Sequence, residues 1–428
     1  MARKAKKLQE LQKLFDESEI DFSLLESDTV INKLIEKAES IYDIRNGSYI
    51  KHKLSDIVIL TLFAVLANAD EWKEIEAFGI KKEKWLRKFL ELPNGIPSDD
   101  TIRVVISSIN SNYFYNIVVE FFMEIINKLT ETVNQKVDSK EQDILSIDGK
   151  TSCGSKRNDT DIEGSRALHT LNAYSSNYGI CTGQVFVDEK SNEIPAVKDL
   201  LKIIDIKDTV VTWDALNTQK STVEEVIKYK GDYVGALKRN QGLLYNDVKD
   251  YFKEDVLEQL KGSKASYKVT REKEHSAIVT REYFLTTDIN WICDRKDWKG
   301  FKSIGLERKT VKRNNGTITH EERYFICSIE DIELFSRAVR DHWGIENGLH
   351  WHLDFTFKDD KNTTMSKTGA KNLQIIKKIA LTILKMVQTF YNVSLKMIRY
   401  RLSLDYEDEI SNIFKLLDVN GLKTALGK

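Results

Sequence analysis

The chain has 428 residues, 41% hydrophobic and 31% charged, with 65 Lys and Arg against 66 Asp and Glu for a net charge of -1. At roughly 150 residues per domain this length allows two to four domains with ample cores, and the composition excludes collagen-like, wholly disordered and multi-span membrane architectures. Near-neutrality means that any nucleic-acid partner must be held by local basic surfaces, and the scattered Cys153, Cys181, Cys293 and Cys327 offer no paired zinc or disulfide spacing, which suits a reducing cytoplasm.

The opening MARKAKKLQELQKLF is basic but lacks an apolar signal core, so residues 1–44 read as a helical, basic segment without export function. The most apolar run, Ile57 to Ala69, is bounded by Asp56 and Asp70 and is far shorter than the ~20 residues that a membrane span requires. It reads as a buried helix. Helical spacing of apolar residues around it and again from Ile102 to Leu129 predicts an all-helical unit over 45–138, with Ser98 and Asp99 capping a helix after the turn LPNGIP.

From Asp143 the period changes. ILSID, ALHTLNAYS and YGICTGQVFV read as three consecutive strands, followed by a helix at Pro195, the strand TVVTWDA, the helix STVEEVIKYK and the strand DYVGALK. The order βββαβαβ over 139–261 predicts an α/β mixed sheet in which a meander precedes parallel, helix-connected strands. Residues 262–328 read as a β-rich inserted subdomain with a turn at NNG, 329–404 as helices, and 405–428 as a mixed-charge tail.

Two aspartates, Asp148 and Asp214, fall where strands end, which is where open α/β sheets bind ligands. An Asp after a strand is a turn or cap residue about three times in four. Two side by side, however, supply the hard oxygens that Mg²⁺ takes together with substrate phosphates. Downstream, His342, Glu346, His350 and Asp354 recur every four residues on one helix face, with Trp343, Leu349, Trp351 and Leu353 expected to pack that helix on the sheet. The stripe is either a carboxylate-bearing site helix or a solvated face. A zinc site of His342, Glu346 and His350 ranks lower because HExxH spacing is absent.

Between Asp360 and Asp405 there are nine Lys or Arg and no acid, and Lys378 with Lys385 on one helix face predicts phosphate contact, although a solvated face has the same charge pattern. No phosphate-binding GxxxxGK[ST] loop, dinucleotide GxGxxG turn or GxSxG elbow occurs.

Taken together, IDGKTSCGS, GQVFVDEKSNEIPAVKDLL, VVTWDALNTQK, GDYVGALKRNQ and VRDHWGIENGLHWHLDFTFKDD resemble the H-repeat-associated, ISAs-type insertion-sequence transposases, and HKLSDIVILTLFAVLANADEW and GIPSDDTIR resemble their accompanying helical domain. The resemblance spans roughly residues 45 to 395. It implies an RNase H-like DDE domain with Asp148, Asp214 and Glu346 as metal-binding catalytic acids and the β-rich segment inserted before the glutamate. Lys150, His342, Asn347, His350 and Asp354 are supporting candidates, and Lys156, Arg157, Lys238, Arg239, Lys378 and Lys385 are candidate DNA contacts. Mg²⁺ or Mn²⁺ is the expected cofactor. Expected partners are double-stranded DNA, meaning terminal repeats and target, and further copies of the chain, in the cytoplasm on the nucleoid and away from membranes. Cys153 stands where the family usually has arginine, and Val339, His342 and Leu353 stand where related transposases space a Tyr, an Arg and a Lys. The competing expectations are a decayed or domesticated DNA-binding protein of the same fold, and a metal-dependent phosphoesterase.

Overall fold

A computed structural model describes residues 9–10, 13, 25–134, 141–156, 167–187, 193–274, 277–364, 366–391, 393–418 and 421. From residue 25 onward the described helices begin with α1 Ser27–Glu39, α2 Leu54–Leu66, α3 Trp72–Leu86, α4 Asp99–Ser108 and α5 Ser111–Asn134. Every residue of α2 is buried, Ser55, Asp56 and Thr61 included among its apolar residues, and Ser98 caps α4 by accepting the Thr101 N–H at 3.4 Å.

The sheet follows as β1 Ile144–Ser152, β2 Leu168–Ser175, β3 Ile180–Val187, α6 Glu193–Ile203, β4 Val210–Trp213, α7 Lys220–Lys228 and β5 Asp232–Leu237. Next come α8 Leu243–Tyr251, α9 Glu254–Lys261, β6 Tyr267–Glu274, β7 Ala277–Thr286, β8 Ser303–Arg313 and β9 Ile318–Cys327. Strands β1, β4 and β5 are parallel neighbours, β2 and β3 continue antiparallel from β1, and the whole order is β3-β2-β1-β4-β5-β9-β8-β7-β6. The β-rich stretch is therefore not a separate subdomain: β9 pairs antiparallel with β5, so β6–β9 extend the central sheet to nine strands. Gly316, at φ +82° in the NNG turn, closes the β8–β9 hairpin.

Helix α10, Ile332–His342, crosses the sheet over β1, β4 and β5, and two π-helical turns, Glu346–His350 and His352–Thr356, carry the chain onward. Then α11 Lys367–Tyr391 runs between the sheet and the N-terminal helices, followed by α12 Leu395–Leu404 and α13 Tyr406–Lys415. One apolar core joins α1–α5 to the π-helical turns and α11–α13 through residues such as Phe63, Ile106, Leu349, Ile376 and Phe414. Residues 406–415 are thus not a tail, because Tyr406, Ile410, Ile413 and Phe414 of α13 are buried in that core. Within described residues no helix is long and apolar enough to cross a membrane.

Alternation along β1 divides its side chains between the two faces. Leu145 and Ile147 join the core under α6 and α7, whereas Ile144 packs beneath α10, so Asp148, Lys150 and Ser152 point toward α10, the π-helical turns and α11.

Candidate functional site

The carboxyl ends of the parallel strands β1, β4 and β5 lie side by side, with Ile147 paired to Trp213 and Trp213 to Gly235. Asp148 and Asp214 each follow by one residue, so the sheet register alone makes them neighbours. From above, the π-helical turn after α10 brings in Glu346. One ligand atom each from Asp148, Glu346 and His350 lie within 4.8 Å of one another, which makes this the one such group of His, Cys, Asp or Glu among the described residues. Asp214 stands beside this trio, its Oδ1 accepting the Asn217 backbone N–H at 3.3 Å and the Asn217 side-chain N–H at 3.2 Å.

The electrostatics are those of crowded carboxylates. Burial, with the Glu346 carboxylate next to it and Asp214 beyond, pushes the Asp148 carboxyl up to about 8. Glu346 is held down to about 2, chiefly by His350. Burial also raises Asp214. The Asp148 carboxyl is thus the one pushed toward its protonated form by this crowding, which a divalent cation among these acids would relieve.

His350 is oriented from below. Lys378 Nζ donates to Asn172 Oδ1 at 2.5 Å and to Gln184 Oε1 at 2.6 Å, which fixes the Asn172 amide with its Nδ2 toward His350 Nε2 at 3.4 Å. Nε2 must then accept, and the ring proton sits on Nδ1, 3.6 Å from both Asp148 Oδ2 and Glu346 Oε2. Burial keeps His350 neutral by lowering its pKa. Such a ring turns an N–H and not a lone pair toward the two carboxylates, so a zinc-ligand role would require inverting the Asn172–Lys378 arrangement.

The other candidates separate. His342 is half-buried with Nδ1 2.9 Å from the Thr212 hydroxyl, below its ordinary pKa at about 4 chiefly through desolvation, and so supports the helix-to-β4 contact. Lys150 is buried and pairs with Asp354 and, at 3.6 Å, with Asp360, which commits Asp354 to the lysine. Asn347 donates to the Trp343 carbonyl at 3.2 Å. Lys156, Lys238 and Arg239 are exposed, and Lys238 is close enough to Asp214 to stabilise its charge. Arg157 lies outside the described residues.

Two expectations are corrected. Lys378 and Lys385 do not present a phosphate-binding stripe: Lys378 is 4% exposed, and Lys385 Nζ donates to Tyr174 OH at 2.7 Å and Gly179 O at 3.0 Å. Helix α11 is covered on both sides, by β2 and β3 and by the N-terminal helices, so Lys378 and Lys385 are desolvated amines with neutral acceptors, while the buried Lys377 is balanced by Asp359 and Asp70 from outside the acid-free stretch. Likewise Trp343 and Trp351 are exposed, and only Leu349 and Leu353 pack inward. The π-helical turns change the angular step, which the four-residue pattern did not anticipate.

Sequence reasoning missed His169, Asn172 and Glu193. Their signal was a strand, LHTLNAYS, buried at every position yet carrying His and Asn, since a polar side chain in a wholly buried strand needs a partner.

The family model described as "Transposase DDE domain" matches residues 139–383, and the one described as "DDE_Tnp_1-associated" matches residues 35–122. "Putative transposase YncI" of Escherichia coli O157:H7 is 37% identical over 361 residues, covering 83% of this chain and 88% of the relative. "H repeat-associated putative transposase YhhI" and "Putative protein YbfL", both of Escherichia coli strain K12, are each 32% identical over 366 residues, covering 84% of this chain and 92% of the relative.

Proposed function

The chain belongs to the transposase DDE domain family, and on that premise we propose that Asp148, Asp214 and Glu346 form the acidic triad of a DNA cleavage and strand-transfer reaction at the ends of an insertion sequence. The observation that carries this reading is the meeting of Asp148, Glu346 and His350 from distant chain segments beside Asp214. The same strand order and parallel core support an RNase H-like catalytic domain, and the donors fit a divalent cation. With His350 Nδ1 protonated they are carboxylate oxygens, the preference of Mg²⁺ or Mn²⁺ over zinc.

When bound, divalent ions at such a triad activate the attacking oxygen and stabilise the leaving oxygen of an in-line phosphoryl transfer. The chain's own contributions are positional. Asp148 and Asp214 are fixed by strand register, His350 steers the Glu346 carboxylate, and Lys150 ties the second π-helical turn to β1 through Asp354. Lys156 after β1 and Lys238 and Arg239 after β5 lie exposed at the carboxyl edge, where they supply phosphate contacts despite the net charge of -1. The substrate is double-stranded DNA, terminal repeats and target, engaged by more than one copy of the chain on the nucleoid.

The test is cleavage of a supercoiled plasmid carrying the gene's own flanking DNA, in Mg²⁺. Asp148→Ala, Asp214→Ala and Glu346→Ala should each reduce cleavage at least about a thousandfold, a loss of roughly 4 kcal/mol of transition-state stabilisation, with DNA binding retained. Binding without cutting by the unsubstituted chain would establish a decayed binder. Full activity of Glu346→Ala would move the third acid elsewhere.

A further inference from the structure

On the opposite face of β1 from Asp148, a second polar cluster runs inward from the exposed Thr151. His169 on β2 faces Thr151 across the β1–β2 ladder, with the Thr151 hydroxyl 2.9 Å from Nδ1 and Glu193 Oε1, from the first turn of α6, 2.9 Å from Nε2. The other Glu193 oxygen, Oε2, accepts from Asn217 Nδ2 at 3.4 Å, and that same Nδ2 donates to Asp214 Oδ1 at 3.2 Å. His169, Glu193 and Asn217 are all buried, at 4%, 5% and 1% exposure. A buried carboxylate is retained only with dedicated donors, and His169 on one side and the amide touching Asp214 on the other both serve Glu193.

Gly149, the residue after Asp148, is part of the same construction. A Cβ there would sit 2.9 Å from His169 Cε1 and Nε2 and 3.0 Å from Glu193 Oε1, so the cluster occupies the space that a side chain would take.

We propose that His169, Glu193 and Asn217 form a positioning unit that sets the orientation of the Asp214 carboxylate, with Glu193 as its anchor. The inference rests on the triad reading above. With its amide pinned by Glu193, Asn217 gives Asp214 Oδ1 two hydrogen bonds, leaving Oδ2 as the oxygen directed at a cation. Without Glu193 the amide is released and Asp214 samples other rotamers. Outer-shell partners of this kind change metal affinity by about 10–100-fold when removed.

The experiment measures Mn²⁺ binding to the full chain by electron paramagnetic resonance, beside thermal melting and Mg²⁺ titrations of plasmid cleavage. Asn217→Ala and Glu193→Ala should weaken Mn²⁺ binding about 10-fold or more and raise the Mg²⁺ half-saturation of cleavage similarly, while saturating Mg²⁺ restores most of the rate. Glu193→Gln, which keeps an acceptor for Asn217, should restore Mn²⁺ affinity to within about threefold of the unsubstituted chain. A unit that only supports folding would lower the melting temperature of all three variants and leave Mn²⁺ affinity per folded molecule unchanged, and that result overturns the proposal. If instead Asp214→Ala itself binds Mn²⁺ and cuts normally, the triad reading fails first.

Discussion

His350 Nδ1 lies 3.6 Å from Asp148 Oδ2 and equally far from Glu346 Oε2, its proton placed there by the Asn172 amide on its other nitrogen. One imidazole therefore faces two carboxylates of opposite tendency: Asp148 is pushed up by burial and by Glu346, and Glu346 is held down by His350. His350→Ala removes the donor that keeps Glu346 ionised and aimed. The expected result is an Mg²⁺ half-saturation for cleavage raised about 10-fold or more, with DNA affinity unchanged. Superimposable Mg²⁺ curves for the variant and the unsubstituted chain would remove His350 from the machinery.

Asp354 is distinguished from Glu346 by its partner. It faces the buried Lys150, so Asp354→Asn should be a stability variant and not a catalytic one. Because Asp354 is partly solvated and Asp360 remains 3.6 Å from Lys150, the loss should be about 1–3 kcal/mol, below the cost of stranding a fully buried charge. Chemical denaturation checks this, with cleavage per folded molecule expected within tenfold of the unsubstituted chain. A thousandfold loss of rate at unchanged stability would make Asp354 a triad member.

How much of this was legible in the sequence differs by residue. Asp148 and Asp214 were readable because a strand's carboxyl end is marked by where its apolar run stops, and parallel register then brings the two ends together. Glu346 was readable as one of a four-residue series, but not its separation from Asp354, because the π-helical turns rotate that series. The strands β6–β9 were recognisable by period, yet period does not tell which edge a strand joins, and so the pairing of β9 with β5 was hidden. Lys378 was misread because a desolvated amine and a solvated one contribute identical letters. The distinguishing evidence, Asn172 and Gln184 as its acceptors, sits about two hundred residues away in the chain.

Two histidines draw stability down in mild acid, against Asp148 and Asp143, whose carboxyls, raised by burial to about 8 and about 6, work in the opposite direction over the same range. Burial lowers His342 to about 4 and His352 to about 3, against an ordinary 6.5. Between those limits the unfolded chain takes up protons that the folded chain refuses. The stabilisation is therefore complete above pH 6.5 and is lost as pH falls toward the folded values, by up to about 1.4 kcal/mol per pH unit for each histidine. Urea midpoints measured at pH 7.5 and 5.0 test this. His342→Asn with His352→Asn, each amide able to replace Nδ1 toward Thr212 or Thr356, should raise the pH 5.0 midpoint relative to the pH 7.5 midpoint when compared with the unsubstituted chain. The same difference between the two midpoints in both proteins would assign the acid response to other groups.

DNA affinity should depend on the exposed cations at the carboxyl edge of the sheet and not on α11. Each phosphate neutralised contributes about -0.9 to the slope of log K against log salt. Lys238 and Arg239 are exposed directly after β5, next to Asp214, so replacing both with Gln should flatten that slope by up to about two units and weaken specific and non-specific binding alike. Lys378→Gln and Lys385→Gln should leave the slope unchanged, because both amines are enclosed and already bonded to Asn172, Gln184, Tyr174 and Gly179. What those two substitutions should reduce is stability, by about 1–3 kcal/mol each, through acceptors left unpaired inside the protein. A salt slope flattened by the α11 pair and not by Lys238 and Arg239 would mean that α11 becomes uncovered when DNA binds.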